Sequence, residues 1–432
     1  MKIVRMAQRA SWGLSDQALS SLTNFAVGVI VARSVSSDEF GAFSLAFAVY
    51  LVALGASRAI ASEPLLVRFS ASGPDEWRRG TASSTGTATA LGMIGGVLIL
   101  VVGLFADGTL SQGLIALGIT LPGLLLQDSW RLAFFTKGQG VLAFVNDLVW
   151  AMLLIPMFAL AVTRESNQVA WFMLAWGGSA CGAALFGPLQ SRVRPRIKDV
   201  VRWWKDHRDL APRFLSEFIV RAGGTQLVFF GLGATAGLSA VGSMRAAQII
   251  LGPFQVVFQG IWLIAIPEQV RLLRTAPQRL RAASMTFSGF LAASAALYGI
   301  AVLFLPDRIG RALVGGNWDG AAEIIFPLAL SFAGLGGVMG AASGLRALAA
   351  ASRSLQARTI VTVMIIVGGI GGALLGQSLG AAIGLAVAYW IGAAVWWWHF
   401  NAALVQYLRD AKDLAEAPLT AIAGSVAHQD GG

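Results

Sequence analysis

Apolar runs of about twenty residues recur along this chain from end to end, separated mostly by short connections. A hydrocarbon layer about 30 Å thick is crossed by roughly that many helical residues. Lipid offers backbone groups no hydrogen-bond partner, so such segments close their bonds internally as helices. We mark twelve spans: 14–34, 41–62, 81–105, 111–134, 141–162, 169–190, 214–235, 239–264, 283–305, 323–345, 358–376 and 379–400. Of the residues, 56% are hydrophobic and 12% charged, half the charged share of an ordinary soluble domain. The expected fold is an all-α polytopic membrane protein.

Basic residues fix the direction of the spans. Connections on one side carry most of the Lys and Arg, eight of them in 191–213 alone. The opposite side holds Arg33, Arg164, Arg308 and Arg311, while Arg58, Arg221 and Arg245 fall within spans. By the positive-inside rule, both termini lie in the cytoplasm and the protein is a multi-pass protein of the cytoplasmic membrane. The net charge of +10 is spread between apolar segments, which points to anionic lipid headgroups rather than to nucleic acid. Trp203 and Trp204 give 191–213 the pattern of an amphipathic helix at the membrane surface.

The halves repeat at a shift of about 201 residues. "SDQALSSLTNF" (15–25) meets "SEFIVRAGGTQ" (216–226), and "EPLLVRF" (63–69) meets "IPEQVRLL" (266–273) at a similar shift. Six spans return the chain to its starting side, so the repeat is of the parallel kind, with two six-helix lobes facing one another across a central cavity. The expected organisation is 1–190 for the first lobe, 191–213 for a basic linker, 214–400 for the second lobe and 401–432 for a cytoplasmic tail.

Charged side chains in spans are expensive and face protein or water. Glu217, Arg221 and Thr225 form one stripe, since a step of four advances only about 40° around a helix. Asp16, Ser20 and Asn24 form the equivalent stripe in the first lobe. We assign Arg58, Arg221, Arg245, Asp16, Asn24 and Glu217 as candidate substrate-binding groups. The alternatives are an ion pair between Glu217 and Arg221, and snorkelling or packing for Arg58 and Arg245. Asp128, Arg131 and Asp147 are candidates for gating or ion coupling; Asp128 and Arg131 are three residues apart, which favours a salt bridge between them. No His/Cys/acid grouping has metal-ligand spacing, and no phosphate loop or outer catalytic array is present. Cys181 reads as core packing. A carrier, rather than an enzyme, is expected.

Several stretches resemble the polysaccharide-exporting, O-antigen flippase-like branch of the multidrug/oligosaccharidyl-lipid/polysaccharide flippase superfamily. They are "VARSVSSDEFGAFSLAF" (31–47), "WWKDHRDLAPRFLSEF" (203–218), "MRAAQIILGPFQVVFQGIWLIAIPEQVRLL" (244–273) and "LVGGNWDGAAEIIFPLAL" (313–330). The resemblance implies movement of a lipid-linked oligosaccharide, on a polyprenyl-pyrophosphate carrier, from the inner to the outer leaflet for cell-surface polysaccharide synthesis. It implies membrane lipids and other polysaccharide assembly proteins as partners, no bound cofactor, and an energy source left open between a H+ and a Na+ gradient. Related peptidoglycan-precursor flippases hold pyrophosphate with arginines in spans one, two and eight. By span, Arg58 and Arg245 match that pattern, whereas span one offers Asp16 and departs from it. The alternatives are a cation-coupled multidrug antiporter of the same fold and, from another class, a membrane glycan polymerase or ligase.

Overall fold

The computed structural model describes residues 2–166 and 168–416, and among them every regular element is helical. The first lobe begins with α1 (Lys2–Ser34). Ser36 then caps α2 (Ser37–Ser57), its side chain and that of Glu39 closing a reciprocal capping box. From α2 the chain runs on without a break through a π-helical turn, Arg58–Ser62, and a last helical stretch, Glu63–Phe69. The first lobe is completed by α3 (Pro74–Phe105), α4 (Gly108–Thr136), α5 (Gly140–Val162) and α6 (Gln168–Ser191).

A short helix, α7 (Val200–His207), leads into α8 (Ala211–Phe218), a second π-helical turn at Ile219–Gly223, and α9 (Gly224–Thr275). Gly237 bends α9 at φ 85°, where only glycine sits without strain, so α9 holds the end of one passage and the whole of the next. The second lobe continues with α10 (Leu280–Leu303), α11 (Asp307–Val314), α12 (Trp318–Ala347) and α13 (Ala351–Glu416). Gly376 and Gln377 break α13 into two passages. Residues 417–432, the end of the expected tail, lie outside the described residues.

Among the described residues, nine helices are long and apolar enough to cross a membrane. Dividing the two bent ones and adding α1, whose polar stripe lowers its hydropathy, recovers the twelve expected passages. The largest apolar core joins both lobes, from Val27, Phe40 and Phe43 through Trp176 to Leu232, Met244 and Ile324.

The lobes meet most tightly where α2 crosses the second half of α9. Neither Gly41 nor Gly242 has room for a Cβ: it would strike the Leu238 carbonyl in one case and the Ser37 carbonyl in the other. Nearby, Asn317 donates from Nδ2 to the Ala32 carbonyl at 2.8 Å. These contacts close the side that the charge pattern assigns to the outside.

The linker is bound to the first lobe. Trp203 is buried, stacks on Phe69 and donates from Nε1 to the Ile60 carbonyl at 3.0 Å. Ile60 lies in the π-helical turn, where the i→i+4 ladder is interrupted and a carbonyl is available. Arg68 grips both oxygens of Asp209, at 2.9 and 2.8 Å. Of the two tryptophans expected at the membrane surface, only Trp204 is exposed. Burial lowers the His207 imidazole below its ordinary value near 6.5, against the opposing effect of its Nδ1 bond to the Trp203 carbonyl.

Candidate functional site

The first lobe gathers its buried charges around α4. Arg58 meets Asp128 in a bidentate pair, Nε to Oδ2 at 2.8 Å and Nη2 to Oδ1 at 2.5 Å. One turn along, Arg131 donates from Nε to Asp16 Oδ2 at 2.7 Å and lies 3.4 Å from Asp147 Oδ2. Four helices therefore supply one cluster: Asp16 from α1, Arg58 at the end of α2, Asp128 and Arg131 from α4, and Asp147 from α5.

The salt bridge expected between Asp128 and Arg131 does not form. Each finds its partner on another helix, because pairing within α4 would leave Arg58, Asp16 and Asp147 charged and uncompensated. Nor does Arg58 snorkel, since its guanidinium is held by Asp128 while about a third of the side chain stays exposed. Three carboxylates face two guanidiniums, and Asp16 Oδ1 is buried with no hydrogen-bond partner.

An amide network extends the cluster. Gln127 donates to Asp147 Oδ1 at 2.8 Å and to Asn146 Oδ1 at 3.2 Å. Asn146 in turn donates to Gln190 Oε1 at 2.7 Å and to the Ala183 carbonyl at 3.0 Å. A buried polar network of this kind orients every member it satisfies. It holds Asp147 in place from the side opposite Arg131.

Aromatic rings carry the site to the other lobe. Tyr50 is buried within the field of Asp128, Arg58 and Arg131 and packs edge-on against Trp176, at 4.8 Å between centroids. Phe47, one turn further along α2, lies 5.7 Å from Tyr50. The Arg245 guanidinium of α9 sits 5.2 Å above the Phe47 ring, a cation–π contact across the lobes. Among the described residues, no carboxylate forms an ion pair with Arg245. On α1, Gln17 and Asn24 are exposed at membrane depth, and Asn24 donates back to the Ser20 carbonyl.

The second-lobe stripe falls elsewhere. Glu217, in the last turn of α8, lines a groove with Arg213, Arg346 and Arg358 and is not part of the α4 cluster. The side chain of Arg221 lies outside the described residues, and with it the expected Glu217–Arg221 pair. Arg245 thus reaches Tyr50 through Phe47, while Glu217 is separate.

No family model matches the sequence, and no curated protein matches it. Among solved structures, the chain is similar to the inward-facing conformation of a multidrug resistance MATE family transporter of the MOP superfamily. The TM-score is 0.67 at 14% identity, over 90% of this chain and 95% of that one. The inward closed conformation of the lipid II flippase MurJ gives 0.64 at 13% identity, over 95% and 93%. An outward-facing MATE transporter of the same superfamily gives 0.50 at 14% identity, over 93% and 96%. The fold is that of the MOP transporters.

The structure brings together Asp16, Arg58, Asp128, Arg131 and Asp147, all singled out in the sequence, with the neutral Gln127 and Asn146, which were not. Gln127 and Asn146 stand directly before Asp128 and Asp147, so two adjacent polar residues interrupt an apolar span in both places. That doubling was the available signal. Tyr50 and Phe47 carried none, because an aromatic residue in a membrane helix is ordinary.

Proposed function

We propose that this chain is a carrier that moves a lipid-linked oligosaccharide, borne on a polyprenyl pyrophosphate, across the cytoplasmic membrane by alternating access. The observation that supports this over export of cations is Arg245. It is a cationic group at the junction of the lobes, stacked on a ring and with no carboxylate pair among the described residues. A pyrophosphate head cannot enter hydrocarbon and needs such a group, whereas its polyprenyl tail need never leave the bilayer. The MOP fold supplies two lobes able to rock about a shared site. The closed α2–α9 crossing on the outer side and the higher similarity to an inward-facing MATE structure both favour an inward-facing state.

In this reading the α4 cluster is the coupling device. Its extra carboxylate and the orphaned Asp16 Oδ1 suit the uptake of one proton at Asp16 or Asp147. The same excess of acid is what a cation-coupled multidrug antiporter would carry, and that is the second reading. The oligosaccharide reading places both termini in the cytoplasm and makes other polysaccharide assembly proteins its partners.

Purified protein in proteoliposomes separates the two. Lectin-accessible polyprenyl-pyrophosphate sugar should appear on the far side with wild type and fall at least tenfold with Arg245→Ala. Accumulation of ethidium without sugar movement would overturn the proposal.

A further inference from the structure

The second lobe holds a cavity of about 180 Å³ between both passages of α9, α12 and both passages of α13. Four uncharged polar side chains line it: Thr225, Gln248 and Gln255 from α9, and Tyr389 from α13. Among the described residues, none of the four forms a hydrogen bond with the protein. The buried amides of the first lobe differ, since Gln127 is bonded to Asn146 and Asp147, and Asn146 to Gln190. Ser331, which also lines the cavity, donates within its own helix to the Pro327 carbonyl at 3.0 Å. Polar groups left unbonded at membrane depth are costly, so four on one cavity call for a ligand that bonds them. Phe229, Phe332 and the Tyr389 ring add aromatic surface. Thr225 and Gln255 are exposed and lie farther along their passages from the Gly237 bend than Leu232 and Met244 do. The cavity therefore opens away from the closed α2–α9 crossing.

From this arrangement, and on the carrier reading above, we infer that the cavity seats the sugar residue attached directly to the pyrophosphate. Gln248 follows Arg245 by three residues on α9, the spacing of helical neighbours, so a head held at Arg245 has its first sugar beside the cavity. Glutamine amides both donate and accept, as do the Thr225 and Tyr389 hydroxyls, which matches the mixed character of sugar hydroxyls. Aromatic rings take the apolar C–H face of a pyranose, a contact that water in the same space does not make. The volume falls below the roughly 300–1,000 Å³ of pockets for drug-sized ligands and suits one sugar ring. Among the described residues, no carboxylate lines the cavity, so it offers a cationic drug no counter-charge.

The test measures binding of the full-length, detergent-purified protein to farnesyl pyrophosphate, bare or carrying one glucose, galactose, N-acetylglucosamine or N-acetylgalactosamine. The readout is the ratio of affinities, sugar-bearing over bare. At least one sugar should raise the affinity of wild type about tenfold. Gln248→Leu and Tyr389→Phe should each cut that ratio about threefold or more. Neither substitution removes a hydrogen bond within the protein, so neither should lower Tm. Arg245→Ala should weaken bare and sugar-bearing lipid alike. Equal binding of all five ligands by wild type, or an undiminished ratio in both cavity variants, overturns the sugar seat and leaves the carrier reading standing. Wild type that binds none of them overturns both. A Tm lowered by several degrees in both cavity variants would make Gln248 and Tyr389 structural groups and equally overturn the inference.

Discussion

Replacing Arg131 by Gln removes the guanidinium that serves two buried carboxylates at once. Asp16 is fully buried, its Oδ2 accepts two N–H groups from Arg131, and its Oδ1 has no other donor. Asp147, 3.4 Å away, would keep only the amide of Gln127. Removing one partner of a buried ion pair costs about 3–5 kcal/mol, because the charge left behind remains desolvated. Arg58→Gln provides the internal control. It breaks an equally good bidentate pair, but the Arg58 side chain is 36% exposed, so water reaches the vacated space and about 1–3 kcal/mol is expected. At roughly 2–4 °C per kcal/mol for a large domain, Arg131→Gln should lower the melting temperature by about 10 °C, and Arg58→Gln by less than half of that. The double variant Asp16→Asn/Arg131→Gln should recover part of the loss, giving a coupling energy above ~1 kcal/mol in a double-mutant cycle. Thermal unfolding of detergent-purified protein at neutral pH measures all three. An Arg131→Gln protein that melts with wild type, or no lower than Arg58→Gln, would refute the assignment of Arg131 as the hub.

Three further outcomes test other parts of the structure. His207 is held neutral by burial and flanked by Arg68, Asp206 and Asp209; the unfolded chain protonates first as pH falls, so this contribution to stability is complete above about pH 6.5 and lost below it. The docked linker should therefore loosen between about pH 7 and 5, read as protease cleavage within 191–213, and His207→Gln should flatten that profile. Gly41→Val places side-chain atoms where the Leu238 carbonyl lies and should keep the outer side from closing, seen as greater labelling of cysteines introduced along α2 and α9 from outside the cell. Phe47→Ala removes a desolvated cation–π contact worth about 1–2 kcal/mol, and should shift the balance of states several-fold away from the inward-facing one, measured by spin-label distances between the lobes.

The fold was legible because its main signal is local. Span length, the signal behind the all-helical membrane fold, is read within a window of about twenty residues. The charged members of the α4 cluster were conspicuous for a similar reason, since ionised groups stand out in apolar runs. Their pairing was not. Arg58 and Asp128 are seventy positions apart, and Asp16 and Arg131 a hundred and fifteen, so nothing local distinguishes these partners from the nearby Asp128–Arg131 alternative. The π-helical turns at Arg58–Ser62 and Ile219–Gly223 were equally hidden, because one extra residue in a turn leaves the hydrophobic pattern almost unchanged. Each turn changes the angular register between the residues on its two sides. Glu217 accordingly faces the α8–α12–α13 groove instead of a cluster like the one that holds Asp16, its equivalent in the repeat.

The two lobes therefore treat charge differently although their sequences align. In the first, Arg58 and Arg131 are each bound to carboxylates of the same lobe, and a rigid-body rocking motion leaves those distances unchanged. In the second, Arg245 leans on Phe47 of the opposite lobe, a contact that the same motion must break. Rocking consequently alters the surroundings of Arg245 while the α4 cluster moves as a unit. A proton taken up by that cluster can bias the motion only by changing how the cluster meets the second lobe. The Tyr50–Phe47 pair, one turn apart on α2, carries the Arg245 contact along the helix that leads into Arg58. Under the proposed function, coupling and substrate contact would converge on one helix, α2, which also bears Gly41 at the crossing with α9 and leads directly into Arg58 at its other end.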